Sequence, residues 1–256
     1  MRDLSVVLVF GLVFLRVSAL MVAAPFYGSL NFPVRVKLSF ALLISALITP
    51  VLPPVTPSTV LLADAAQFAL AAVKEVLVGL CLGFLMTLVF AAIQIAGQLL
   101  DMQSGFAMVT VFNPTVGAQF PIYGFFLFVL AMLYLLVMGG HHMILRLLAE
   151  SFTAVPIGAL NPTPGAFAEV VYFGSRLFVQ GVMLSAPVLA SVLLAYATLG
   201  LLGRVVPQIH LLSVGFPITI ALSLFILAMS LSIYLQVVHN FFGEMFNQVA
   251  RVMYAL

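Results

Sequence analysis

From Ala65 to Leu100 the chain runs through thirty-six residues with only Lys74 and Glu75 charged. As an α-helix such a run reaches about 50 Å, against a hydrocarbon core of about 30 Å. Tilt alone does not absorb that excess. Either the run projects from the membrane or it is broken near Gly79 and Gly83. A second overlong run, Val170–Leu202, contains Pro187 and is expected to kink there.

The rest of the chain has the same character. Of its 256 residues, 64% are apolar and only 6% charged, whereas soluble domains carry about 25% charged residues. The sequence therefore specifies an all-α integral membrane protein. Six apolar runs can be drawn: Leu4–Ala24, Val36–Leu52, Ala65–Leu100, Ile122–Met138, Val170–Leu202 and Leu211–Val238. A short amphipathic piece, Ile144–Phe152, follows the fourth, and an amphipathic tail from His239 to Leu256 follows the sixth. Arg16 interrupts the first run and no small-x-small cleavage site follows, so that run reads as a first membrane helix rather than a signal peptide. The net charge of +2 is spread along the chain, with no basic cluster to hold nucleic acid. Charges on the two sides are too evenly divided to fix orientation. The lone Cys81 excludes an internal disulfide.

The stretch Asp101–Pro121, DMQSGFAMVTVFNPTVGAQFP, stands apart. Gly105, Pro114, Gly117 and Pro121 forbid an ordinary helix. Yet past Asp101 it carries no charge and is rich in Met and Phe. Irregular backbone among spans persists only where protein or a water-filled cavity satisfies its polar groups. The composition therefore suggests an element that sits in a pore and closes it.

Thr87, Gln94 and Asp101 recur at seven-residue spacing, with Gln98 between the last two, and draw a polar stripe on an apolar helix. Such a stripe faces an aqueous lumen or a partner subunit, or it supplies hydrogen bonds within one bundle. Gly79 and Gly83 form a G-x-x-x-G surface for close helix approach. Arg16, deep in an apolar run, is either a functional charge or a structural one that snorkels or pairs with a carboxylate. Glu75 either caps the first turn of its helix or pairs with a cation elsewhere. Gly203 to Gln208, with Arg204 and Pro207, reads as a tight turn joining the last two runs into an antiparallel hairpin.

Nothing in the sequence carries catalysis or a metal. Adjacent His141 and His142 diverge by about 100° on a helix and cannot easily share an ion. They read as interfacial histidines. Ser104 lacks the flanking glycine of a nucleophile elbow. No cofactor motif is present. The rival readings are a stand-alone permease for a small solute, with the loop as a re-entrant binding element, and an intramembrane enzyme using His141, His142 or Glu150.

Several ordered segments carry a resemblance. They are Arg16 with Ala24-Pro25; Lys74-Glu75, Gly79 and Leu82-Gly83-Phe84; and Gly97-Gln98 with Asp101, Gln103 and Gly105. Asn113-Pro114, Gly140-His141, Ser151-Phe152 and Pro156-Ile157-Gly158 follow, then Leu199 to Leu202, Pro207-Gln208 and Gly215-Phe216-Pro217. In that order and spacing the chain resembles, along essentially its full length, the FliR family. That family supplies the single-copy inner-membrane subunit of the flagellar type III export gate, and its injectisome counterpart is the T subunit. One departure is His210, where flagellar relatives often have asparagine.

The resemblance implies a helical assembly with P and Q subunits, and contacts with the B switch subunit and the A export ring. It places the chain in the bacterial inner membrane, within the flagellar basal body. Residues 1–165 would be P-like, with a plug loop at about 102–120, and 166–256 would form a Q-like hairpin and tail. Gly105, Phe106, Met108, Phe112, Asn113, Pro114 and Gly117 would belong to the plug and gasket of a pore for unfolded export substrates. Thr87, Gln94, Gln98 and Asp101 would face lumen or partner. Arg204, Pro207 and Gln208 would make the inter-helix turn, and Arg16 and Glu75 would be packed charges. Neither cofactor nor metal is implied. Flexible Met and apolar Phe suit a seal that re-packs around varied chains and dewets when closed.

Overall fold

The computed structural model describes residues 2–28, 33–52, 65–106, 121–206 and 211–256. Seven helices and no strand occur among the described residues: α1 (Arg2–Ala23), α2 (Val34–Ile48), α3 (Ala65–Ser104), α4 (Ile122–Val137), α5 (Gly140–Ala154), α6 (Pro164–Val205) and α7 (Leu211–Ala255). Four of them, α1, α3, α6 and α7, are long and apolar enough to cross a membrane. Helices α4 and α5, interrupted at Met138-Gly139, add a fifth span if taken together. The chain is an all-α, multi-pass integral membrane protein.

The long runs differ in detail from their sequence outlines. Helix α3 is unbroken over 40 residues, or about 60 Å at 1.5 Å per residue. Of the two options open for the third run, the break at Gly79 and Gly83 is not taken. Helix α6 continues through Pro187 for 42 residues, while the sixth run and the tail merge into one 45-residue helix. Gly203 does not end α6, which reaches Val205. The second run shrinks to the 15 residues of α2, about 22 Å of helix and short for a bilayer.

Two compact units emerge. One comprises Met1–Leu88, Gly139–Phe173 and Gly243–Leu256. In it α1 buries Leu12, Val13, Arg16, Val17 and Leu20, a single face at helical spacing. The glycines of α3 meet α1 directly. A Cβ at Gly79 would strike the carbonyl oxygen of Arg16 and lie 2.8 Å from the Ala19 Cβ. One at Gly83 would lie 2.6 Å from the Ala23 Cβ. The G-x-x-x-G is thus a seat for α1, and no helix break is needed to explain it. Helix α5 lays Ile144, Leu147, Leu148 and Phe152 into the core. The chain's end is tied down where Leu256 O accepts from the Asn161 N–H at 3.0 Å and Ala255 O from the Thr163 hydroxyl at 3.0 Å.

The other unit comprises Val89–Met138 and Gly174–Phe242. Here α4 buries Tyr123, Gly124, Leu127, Ala131 and Leu135, one face at helical spacing. Phe90 of α3 meets the rings of Phe128 and Phe242 at 5.7 and 5.5 Å. The Tyr234 hydroxyl donates to Leu127 O at 2.9 Å, and Gly181 of α6 sits so close to Ala92 that a Cβ there would lie 2.6 Å from its carbonyl oxygen.

Replacing Gly79 with valine forces backbone of α1 and α3 apart, a cost of about 1–3 kcal/mol by the usual penalty of overpacking. Protease-resistant chain in membranes should fall for Gly79→Val. It should stay near wild type for Gly11→Ala, where nothing lies within 4 Å of a new Cβ.

Candidate functional site

Asp101 lies in the last turn of α3, buried with its carboxylate turned inward. Its two oxygens accept from the backbone N–H groups of Tyr123 at 2.9 Å and Gly124 at 3.0 Å. These are among the first N–H groups of α4, which lack partners within their own helix. Pro121, at the N-cap position, offers no side-chain bond, so a carboxylate twenty residues away does the capping. Its negative charge also meets the positive end of the helix dipole. The approach is close because Gly97 and Gly124 face each other: a Cβ on Gly97 would strike the Gly124 Cα.

The C-terminal end of α3 is served in the same way. Its last four carbonyls belong to residues 101–104, and three of them accept side-chain hydrogen bonds. Thr219 donates to Ser104 O at 2.9 Å, Tyr196 to Gln103 O at 2.9 Å, and Ser104 to Asp101 O at 3.4 Å. Gly105 then turns with φ 101°, a conformation that glycine adopts without strain. A Cβ there would press to 2.6 Å from the Phe216 ring. Phe106 stands edge-on to Tyr123 at 5.4 Å, and the Tyr123 hydroxyl shares a 2.5 Å hydrogen bond with Ser223. Phe216, Thr219 and Ser223 recur at i, i+3 and i+7, so one stripe of α7 contacts both roots of the loop.

A second polar cluster lies in the other unit, around Arg16. The guanidinium is fully buried. Its Nε donates to Glu75 at 2.6 Å, Nη1 to Ser151 O at 2.8 Å, and Nη2 to Val155 O at 2.9 Å. Phe152 lies beneath it, 4.3 Å from ring centroid to Cζ. The other oxygen of Glu75 accepts from the Gly158 N–H at 2.8 Å, and Lys74 reaches Gly158 O at 3.3 Å. A cation placed at the carbonyl end of α5 complements that helix's dipole. Of the readings open to each, Arg16 is found paired with a carboxylate and Glu75 with a cation.

The polar stripe divides. Thr87, Gln94 and Gln98 are exposed, on the face that also shows Leu77, Leu80, Phe84 and Met102. Asp101 does not share that face, because capping α4 turns its side chain into the fold. Thr87 in addition donates to Ala23 O at 2.6 Å, satisfying the end of α1. Arg204 is exposed in the last turn of α6, where a cation suits the dipole. Met108, Phe112, Asn113, Pro114 and Gly117 of the expected plug lie outside the described residues, as do Pro207 and Gln208. Gly105 and Phe106 are described, at the loop's first root.

His141 and His142 sit with ring centroids 4.0 Å apart. Among the described residues no three His, Cys, Asp or Glu side chains gather as a metal site. The Tyr27 hydroxyl donates to His141 O at 3.4 Å, and burial pushes that phenol above its ordinary pKa, which keeps it a donor. Tyr123, Tyr196, Thr219 and Ser223 were not singled out in the sequence. The i, i+3 spacing of Thr219 and Phe216 was visible, but the loop roots they meet lie about a hundred residues away.

Fold and sites together define a polytopic helical membrane protein in which several buried polar residues secure helix ends. Residues 7–245 match the family described as Bacterial export proteins, family 1. The flagellar biosynthetic protein FliR of Bacillus subtilis (strain 168) is 35% identical over 238 residues, covering 91% of this chain and 90% of that protein. The FliR protein of Pectobacterium carotovorum subsp. carotovorum is 35% identical, covering 94% and 90%. That of Escherichia coli (strain K12) is 33% identical, covering 93% and 90%. The chain belongs to this family of bacterial export proteins, the FliR family, which is not a family of enzymes.

Removing one partner of the buried pair leaves the other charged and uncompensated, a cost of about 3–5 kcal/mol, whereas replacing both by apolar residues is far milder. Arg16→Met should therefore deplete folded chain from membranes, and so should Glu75→Met. The double substitution should recover part of the loss. Additive losses in a double-mutant cycle, read as protease resistance, would show that the two side chains act independently.

Proposed function

We propose that this chain is the single-copy subunit of a flagellar type III export gate, assembled with P and Q subunits into the inner-membrane pore for unfolded flagellar proteins. The observation that carries the reading is the apolar exposure of α6 and α7. At 42 and 45 residues they run about 63 and 68 Å, and a hydrocarbon core of about 30 Å covers less than half of either. Large apolar side chains are nevertheless exposed along the whole of α6, from Phe167 to Val205, and on α7 from Val214 to Ile233 and at Tyr254. Surface of that kind beyond the bilayer needs apolar protein against it. Neighbouring helical subunits supply such a cover, and a stand-alone permease has no comparable partner.

In this reading residues 1–165 correspond to a P-like part and 166–256 to a Q-like hairpin and tail. The exposed Thr87, Gln94 and Gln98 face a partner or the lumen, and Arg204, Pro207 and Gln208 make the turn of the hairpin. The B switch subunit and the A export ring are further neighbours. The loop at about 102–120 closes the pore, with Gly105, Phe106, Met108, Phe112, Asn113, Pro114 and Gly117 as its plug and gasket residues. That every relative named above is a flagellar protein supports flagellum over injectisome.

Purification in mild detergent tests the assembly. The chain should bring down the P and Q subunits and be unstable without them; a monodisperse, self-sufficient transporter would overturn the reading. The plug has its own test in the assembled gate. Small residues in place of Phe106, Met108 and Phe112 should raise ion conductance, and a charge at Phe112 should raise it through hydration. Unchanged conductance in both would remove the closing role from the loop.

A further inference from the structure

Both helix ends that flank residues 107–120 receive caps from side chains of α3, α6 and α7. At the α3 end, Ser104 O and Gln103 O accept from Thr219 of α7 and Tyr196 of α6 at 2.9 Å each. At the α4 end, Asp101 takes the N–H groups of Tyr123 and Gly124, and Phe125 N bonds back to Pro121 O at 2.8 Å. Asp101, Ser104, Tyr123 and Thr219 are all buried, where an unmet polar group is costly. Ordinarily a connecting segment satisfies part of the helix ends it joins. Here the carbonyl end of α3 and the amide end of α4 are secured by α3 itself and by the last two helices.

We propose that Asp101, Tyr196 and Thr219 are positioning residues that fix both roots of the loop independently of residues 107–120. The roots are anchors held by α3, α6 and α7. The hairpin helices are the other half of the device. Because Tyr196 comes from α6, and Thr219 with Ser223 from α7, a displacement of α6 or α7 acts on the roots directly. Its consequence for pore closure rests on the plug reading above.

Amide hydrogen exchange on the full chain, within its membrane assembly, tests the anchors, with conductance of the same assembly as a second readout. Thr219→Val keeps the shape and removes the hydroxyl, Thr219→Ser keeps the hydroxyl, and Asp101→Asn halves the acceptors while preserving size. Exchange at Tyr123 and Gly124 should quicken by about tenfold in Asp101→Asn, the scale of a lost N-cap. Thr219→Val should release the amides of the last turn of α3, and Thr219→Ser should not. Replacing residues 107–120 by a glycine-serine linker of equal length should leave exchange at both roots unchanged. If the linker frees the roots, the loop supplies their capping and the inference fails. If Asp101→Asn or Thr219→Val leaves root exchange at the wild-type rate, it also fails. A linker that leaves conductance unchanged, with root exchange behaving as stated, supports the anchors and counts only against the plug.

Discussion

The constraint on which this structure depends is the satisfaction of helix ends in a chain that has almost no polar residues to spare. Each helix leaves backbone donors at one end and acceptors at the other, and in apolar surroundings each unmet group costs several kcal/mol. Several of the sparse polar side chains serve these ends. Arg16 closes the carbonyl end of α5, Thr87 that of α1, and Thr219 and Tyr196 that of α3. Asp101 closes the amide end of α4. The donors and acceptors come from helices distant in sequence, so each cap is also a tertiary tie.

This explains why a charge as costly as Arg16 is kept. A buried ion pair contributes little to stability by itself, since desolvation offsets its attraction. Here the guanidinium also holds Ser151 O and Val155 O, and Glu75 holds Gly158 N. The pair fixes the end of α5 and the turn after it in one arrangement against α1 and α3. Helix α3 bears both polar centres, Glu75 in its first third and Asp101 in its last turn. Between them its small residues, Gly79, Gly83, Ala92 and Gly97, admit the neighbouring helices closely.

Much of the helical order was legible. The apolar runs located α1, α3, α4, α6 and α7, and Ile144–Phe152 located α5, because apolar length and the absence of charge are local properties. The break expected as one option near Gly79 and Gly83 was a real ambiguity, since glycine serves either a kink or a close contact and only the partner distinguishes them. The stripe was less legible. Period alone put Asp101 in line with Thr87 and Gln94, but a carboxylate has a stronger claim than a face of the helix when free N–H groups lie within reach. Tyr123, Tyr196, Thr219 and Ser223 carried no sequence signal of their role, because it arises from segments separated by up to 115 residues.

By itself the sequence determined that the chain enters membranes, that it is helical, that an apolar stretch rich in glycine and proline follows its third long run, and which family it resembles. The first three follow from composition and short-range pattern, and the last from the ordered segments that carry the resemblance. Tertiary structure alone decided that Arg16 and Glu75 pair, that G-x-x-x-G seats α1, and that Asp101 caps a helix rather than lining an exposed stripe. The physical reason is that a polar side chain in an apolar setting goes to the strongest unmet partner it can reach. Which partner is within reach is a property of packing, not of spacing.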